Sequence, residues 1–184
     1  MPILRRNRAA MAEVRLRRWI ALLLLPALLA CSAKVVRVDM DPARLAATLP
    51  VPLSCAHTLA EVVDARPAGS QAGGLSEHAF AFADVAQVVR QQLLAAGLQE
   101  AGKASPQVAV RVMQLYLAQN RGTKIPVAVY QVRVDGGAAF LLRSQPASLN
   151  WNGTQNEAYA AYARALAAVN QQLIQRLNAG CAKG

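Results

Sequence analysis

The chain has 184 residues, of which 54% are hydrophobic and 16% charged, with a formal net charge of +10. Six Arg and one Glu ahead of Cys31 account for half of that excess; beyond Cys31 the charges of both signs are interspersed and no two Lys or Arg are adjacent. A nucleic-acid binder shows a concentrated basic face or stripe, so no nucleic-acid partner is expected, and the 154 residues from Cys31 onward suit one domain with a real core.

The N-terminal segment reads as an address. Arg15, Arg17 and Arg18 precede an apolar core over residues 19–30, broken by Pro26. About 12 residues are too few to span the roughly 30 Å hydrocarbon layer as a helix, but they fit a cleaved secretory signal. Leu28-Leu29-Ala30-Cys31 matches the bacterial lipobox, in which the cysteine thiol receives diacylglycerol, the peptide is cut before it and the new amino group is acylated. Two or more acyl chains hold a protein on a bilayer where one binds only marginally. Residues 1–30 are therefore expected to be a signal peptide, with Met11 a candidate true start, and Cys31 the lipidation site. Ser32 in place of Asp points to the outer membrane, with the domain facing the periplasm. Residues 31–50, with Pro42 and Pro50, read as a lipidated N-terminus and tether holding one short extended piece at 34–40.

A single domain is expected over 51–184. Its first strand spans 53–65, followed by a Gly- and Pro-bearing loop, "RPAGSQAGGL". A helix is expected over 80–96, because Phe82, Val85, Val89, Leu93 and Ala96 share one face, and Gly97-Leu98 supplies its C-terminal cap. Residues 107–117 alternate as a half-buried strand with an irregularity near Met113. A third strand covers 125–134, and Asp135-Gly136-Gly137 signals a hairpin turn into a fourth at about 138–151, whose second half Pro146 pushes toward an edge. The last helix spans 155–178. Thr154 and Glu157 form its capping box, Tyr159, Tyr162, Leu166, Val169, Leu173 and Leu177 its apolar face, and Gly180 lies just beyond it. The order β-α-β-β-β-α predicts an α+β fold, a mainly antiparallel sheet with two helices packed on one face.

With Cys31 acylated, Cys55 and Cys181 remain as an even pair in an oxidising compartment. They are disulfide candidates, the alternative being two separate thiols. His57 and His78 are the two imidazoles; neither lies in a metal or hydrolase motif, so no metal and no cofactor is expected. His57 reads as a surface or hydrogen-bonded residue of the first strand, and His78 as part of the loop before the first helix. Gly73-Gly74 lacks the lysine and glycine spacing of phosphate loops and reads as a flexible connection. "QNRGTKIP" (119–126) is the polar, basic loop in which Asn120, Arg121 and Lys124 are candidates for meeting a partner or lipid headgroups, the alternative being a plain solvated hairpin.

Three stretches carry a resemblance beyond the lipobox: "VVDARPAGSQAGGL", "DVAQVVRQQLLAAGL" and "NEAYAAYARALAAVNQQLIQRL". Together with "LLAC" the chain resembles the YajG family of bacterial lipoproteins over roughly residues 26–178, with Cys55 and Cys181 as departures from the family pattern. Asp64 and Arg66 carry the best local match and read as structural, Arg66 standing before Pro67 at a turn and Asp64 satisfying nearby backbone donors. The resemblance implies an outer-membrane lipoprotein without established enzymatic activity. The expected function is a non-catalytic, periplasm-facing interaction domain, held to the membrane by its lipid anchor and bound to an envelope protein. Its alternative is an accessory lipoprotein of a lipid-transport or envelope-assembly complex that holds an apolar ligand between sheet and helices. A small hydrolase would need a cleft that brings His57 or His78 against a carboxylate and a nucleophile.

Overall fold

The computed structural model describes residues 36–45, 51–70, 72–75, 78–100, 106–120, 123–145 and 154–181. Residues 1–30, expected to be a signal peptide, with Met11, and Cys31, Arg121 and the stretch 146–153 with Pro146 lie outside these ranges. In chain order the elements are β1 (Val36–Met40), a 3-10 turn (Pro42–Leu45), β2 (Thr58–Asp64), β3 (Gly74–Leu75), β4 (His78–Phe82), α1 (Val85–Ala95), β5 (Gln99–Glu100), β6 (Gln107–Asn120), β7 (Thr123–Val134), β8 (Phe140–Arg143) and α2 (Gln155–Cys181). The class is α+β, with more strands than the sequence pattern predicts. One sheet has the order β5-β2-β6-β7-β8, and a smaller one the order β1-β4-β3. β6–β7, β7–β8 and β3–β4 pair antiparallel, whereas β2–β6, β2–β5 and β1–β4 are parallel.

The long β6–β7 hairpin is the spine of the larger sheet. Val108, Val110 and Val112 face the core, and strict alternation beyond them would then turn Gln114 and Tyr116 inward. A bulge at Met113 shifts the register between Val112 and Gln114, so that Leu115 and Leu117 are buried instead. The expected turn is present. Asp135 and Gly136 have φ of +49° and +69°, and Gly137 N–H donates to the Val134 carbonyl at 2.9 Å, a twist that suits a hairpin. The Asp135 carboxylate also accepts from Gln107 N–H at 2.6 Å, which stitches the turn to the start of β6.

Two expectations about the first half of the chain change. Residues 78–82, His-Ala-Phe-Ala-Phe, form β4 rather than the opening turn of a helix, and Phe82 reaches the core from a strand. The helix starts at Val85 because Asp84 caps it, its carboxylate accepting from Gln87 N–H at 2.9 Å. Its far end is as expected: Gly97, at φ +106°, donates to Leu94 O, Leu98 N–H donates to Leu93 O, and Leu98 is buried. Residues 36–45, expected within a tether, are built into the unit that begins at Val36. β1 pairs with β4 along its length, and Met40 and Leu45 are core residues.

The apolar stripe of α2 is buried as its spacing predicts, from Tyr159 to Leu177. Both capping-box bonds form, Thr154 N–H to Glu157 Oε2 at 3.0 Å and Glu157 N–H to Thr154 Oγ1 at 3.3 Å. The helix runs three residues past its expected end, taking in Gly180. Both helices cover the same face of the larger sheet and share one core with it. No helix among the described residues is long and apolar enough to cross a membrane.

Gly73-Gly74 is not a slack connection. Leu117 N–H donates to the Ala72 carbonyl at 2.9 Å, and a Cβ on Gly73, at φ +96°, would lie 2.9 Å from Leu117 Cβ and 3.0 Å from its backbone N and O. We expect Gly73→Ala to destabilise the fold by roughly 1–3 kcal/mol through overpacking and a strained backbone. A urea midpoint equal to that of the parent would show that the two chains do not meet this closely.

Candidate functional site: an open sheet face and a cysteine–histidine corner

The helices leave the opposite face of the larger sheet uncovered. Across it run Val63, Arg111, Gln131 and Leu141, paired in register from β2 through β6 and β7 to β8. Val63 is 40% and Leu141 66% exposed, among the few large apolar side chains the domain shows to solvent. A second row, Glu61, Ala109 and Arg133, lies beside the first, and Arg143 stands opposite Val129. Glu61, Ala109, Arg111, Gln131 and Arg133 line a shallow groove of about 120 Å³. Glu61, Arg111, Arg133 and Arg143 form no ion pair with any described residue. The face is therefore cationic with two apolar patches, a surface suited to a partner carrying carboxylates. Alternation along β6, β7 and β8 displays Arg111, Arg133 and Arg143 as plainly as it displays the core residues, but only the buried half of that pattern announces itself in the sequence.

At the far end of β2, Arg66 grips Asp64 in a fork. Nε donates to Oδ1 at 2.9 Å, Nη2 to Oδ2 at 2.6 Å, and Arg66 N–H to Oδ1 at 3.2 Å. The Arg66 side chain is 7% exposed and that of Asp64 30%. The Arg66 side-chain bond holds the Asp64 carboxyl below its ordinary range, against partial burial that pushes it up. Asp64 satisfies a backbone donor, as the sequence reading holds, and in addition neutralises a buried guanidinium.

The loop expected to be exposed near 119–126 is mostly strand. Lys124 lies in β7 at 9% exposure and donates Nζ to the Gly74 carbonyl at 2.8 Å, so it ties the two sheets together instead of facing solvent. Burial pushes its ammonium pKa down. Asn120 ends β6, and Arg121 lies outside the described residues. Tyr159 and Tyr162 are core residues; the Tyr159 hydroxyl accepts from Asp41 N–H at 2.7 Å, and Tyr162 donates to the Ala72 carbonyl.

Cys55 and Cys181 form a disulfide with Cα atoms 5.9 Å apart, spanning 126 positions of sequence. Of the two alternatives for His57 the hydrogen-bonded one holds: it is 5% exposed, with Nδ1 3.2 Å from the Cys55 carbonyl oxygen and 3.6 Å from Cys55 Sγ. Its backbone carbonyl accepts from Gln99 N–H at 2.9 Å, which fixes it at the start of β2. His78, expected in a loop, is exposed at the first position of β4.

These features define the class: an α+β fold with one helix-covered and one open sheet face, closed by a long-range disulfide. No family model matches the chain, and no curated protein matches it. Among solved structures it is similar to a DUF330 protein from Xanthomonas campestris, with a TM-score of 0.50 at 10% identity over 80% of this chain and 98% of that one. A minor lipoprotein from Acinetobacter baumannii gives a TM-score of 0.37 at 14% identity, covering 66% of this chain and 94% of that one. A PelC dodecamer from Paraburkholderia phytofirmans gives 0.33 at 11% identity, covering 68% and 93%. The first likeness shows the fold.

Asp64 is held ionised in the folded chain below its ordinary value of 3.8, so its pair stabilises above that pH and loses its effect as pH falls through the depressed folded value. We expect Asp64→Asn to lower the urea midpoint at pH 7 and to flatten the acid-induced loss of stability below about pH 4. Identical pH profiles for the two chains would mean that the fork contributes nothing net.

Proposed function

We propose that this chain is a bacterial envelope lipoprotein, acylated at Cys31, whose domain is a non-catalytic interaction module. The observation that carries the reading is the open face of the larger sheet, where Arg111, Arg133 and Arg143 have no ion-pair partner among the described residues and stand beside exposed Val63 and Leu141. Isolated surface charges are ordinary, but three arginines and two apolar side chains on one sheet face form a surface for a partner with complementary charge. An envelope protein presenting carboxylates around an apolar centre fits it. The histidines are placed elsewhere: His57 lies against the disulfide and His78 on the exposed end of β4. Between sheet and helices the space is filled by Leu59, Tyr130, Tyr162, Leu166 and Leu173, all fully buried, which supports a protein partner over an apolar ligand held there.

The lipobox supplies the other half of the reading. Four residues lie between Cys31 and Val36, the first residue of β1, so five residue steps separate the two. At roughly 3.3–3.6 Å per residue they reach at most about 18 Å, so an acylated Cys31 keeps the start of β1 within that distance of the lipid surface. Partner binding then takes place close to the membrane, where the domain is held at high effective concentration.

We expect Cys31→Ser to move the tagged protein from the membrane fraction to the soluble fraction of broken cells. Retention in the membrane fraction would overturn acylation as the anchor. In-cell cross-linking with mass spectrometry should capture one reproducible envelope protein, and the double variant Arg111→Glu, Arg133→Glu should reduce that capture at least ~10-fold while leaving the melting curve unchanged. Equal capture by parent and variant would remove the open face as the binding surface.

A further inference from the structure

We propose that the Cys55–His57–Cys181 corner is a redox-gated metal site, which takes one Zn2+ or similar d10 cation once its disulfide is reduced. One ligand atom from each of the three residues lies within 4.8 Å of the others. The Cys55 Sγ to His57 Nδ1 separation is 3.6 Å. Two ligands on a tetrahedral zinc, with Zn–S about 2.3 Å and Zn–N about 2.0–2.1 Å, stand roughly 3.6 Å apart. That edge of the coordination polyhedron is therefore already present, and the second sulfur has to withdraw by less than about 2 Å from its bonded position to complete a face.

The corner is held together by more than the bond that must break. Asn178, one turn before Cys181, accepts from Ser54 N–H at 2.7 Å and donates to the Pro52 carbonyl at 3.1 Å. Leu53 N–H donates to the Ala96 carbonyl at 3.1 Å, which fastens the same segment to the end of α1. His57 is fixed independently, through Gln99 N–H on its own carbonyl and the pairing of Thr58 N–H with the Pro106 carbonyl at 2.9 Å. With the disulfide open, these bonds still hold both thiols and the imidazole at one place. A rigid three-ligand set is what distinguishes a metal site from a chance encounter of donors.

The chemistry balances as follows. A dithiol passes two electrons and two protons to the disulfide, giving thiols at Cys55 and Cys181 and a disulfide on the reductant. The metal then displaces both thiol protons. Two thiolates and the neutral Nδ1 of His57, which gives up its contact with the Cys55 carbonyl 3.2 Å away as its proton moves to Nε2, hold the dication at zero net charge, and the fourth position is open to water. Soft thiolates with one imidazole select zinc or copper(I) over magnesium or calcium. The oxidised chain offers no thiolate and binds none.

The test uses the full-length chain carrying Cys31→Ser, which removes the third thiol, reduced anaerobically, freed of reductant and titrated with Co2+ as the spectroscopic probe. One Co2+ per chain with a thiolate charge-transfer band, absent from the oxidised protein, is the expected result. His57→Ala should weaken that binding at least ~10-fold, the smallest loss seen even for groups that only support a ligand. Its oxidised form, held by the disulfide, serves as the folding control by circular dichroism. Absence of a stoichiometric band, or equal affinity in His57→Ala, overturns the proposal. If the reduced chain unfolds, one equivalent of Zn2+ should restore its far-ultraviolet spectrum, and failure to do so overturns it equally.

Discussion

The long helix α2 is the constraint on which the rest of the domain depends. Its 27 residues, about 40 Å at 1.5 Å per residue, carry one apolar stripe that must be buried, and β6, β7, β8, α1 and the 3-10 turn all pack against it. Near its start, Tyr159 accepts from Asp41 N–H, Asn156 accepts from Arg44 at 2.7 Å, and the Arg44 guanidinium stacks 3.8 Å above the Tyr159 ring, all of which dock the 3-10 turn. At its middle, Asn170 donates to Gln92 at 2.6 Å and Gln92 donates to the Leu45 carbonyl at 2.7 Å, a buried polar chain that links α2, α1 and the 3-10 turn. At its end, Asn178 and Cys181 hold residues 52–55. Apolar burial supplies the energy, and these directional bonds decide the register in which it is gained.

Because both helices lie on one face, the rows through Ala109 and Arg111 on the other face stay at the surface. An antiparallel hairpin tolerates this arrangement, since alternation separates an apolar from a polar side. The domain adds to it an excess of arginine and two exposed apolar side chains, so the open side differs in kind from an ordinary wet sheet. Covered core and open face are thus two sides of one element, the β6–β7 hairpin that forms the spine of the sheet.

The disulfide closes the domain across 126 positions, a loop length for which chain entropy alone implies about 4–5 kcal/mol. It joins the segment leading into β2 to the last turn of α2, which are already held by Asn178. That redundancy separates two roles for the cysteines, one in stability and one in chemistry, and it is the reason reduction need not scatter the groups around His57.

Periodicity and caps were legible from the residues alone. The α2 stripe, its Thr154–Glu157 box, the Gly97-Leu98 cap, the Asp135-Gly136 turn and the bulge at Met113 are local features, governed by contacts within a few residues, and each stands where its local pattern puts it. The even pair of cysteines was legible too, by counting. What no local pattern carries is pairing between distant segments. β4 reads as helix because Phe82 also fits a 3.6-residue face; its partner β1, some 40 residues earlier, makes it a strand. Gly73 reads as slack because nothing near it in sequence reveals Leu117 against its backbone. Lys124 reads as exposed until the Gly74 carbonyl arrives from the other sheet, and His57 as solitary until α2 brings Cys181 to it. The sequence by itself determined that two segments are helical, where the first of them stops and the second begins, and which of their faces must be buried. Tertiary structure alone decided which strands pair, which polar groups those pairings bury and which side of the sheet stays open, because these depend on contacts whose free energy exists only once distant parts of the chain have met.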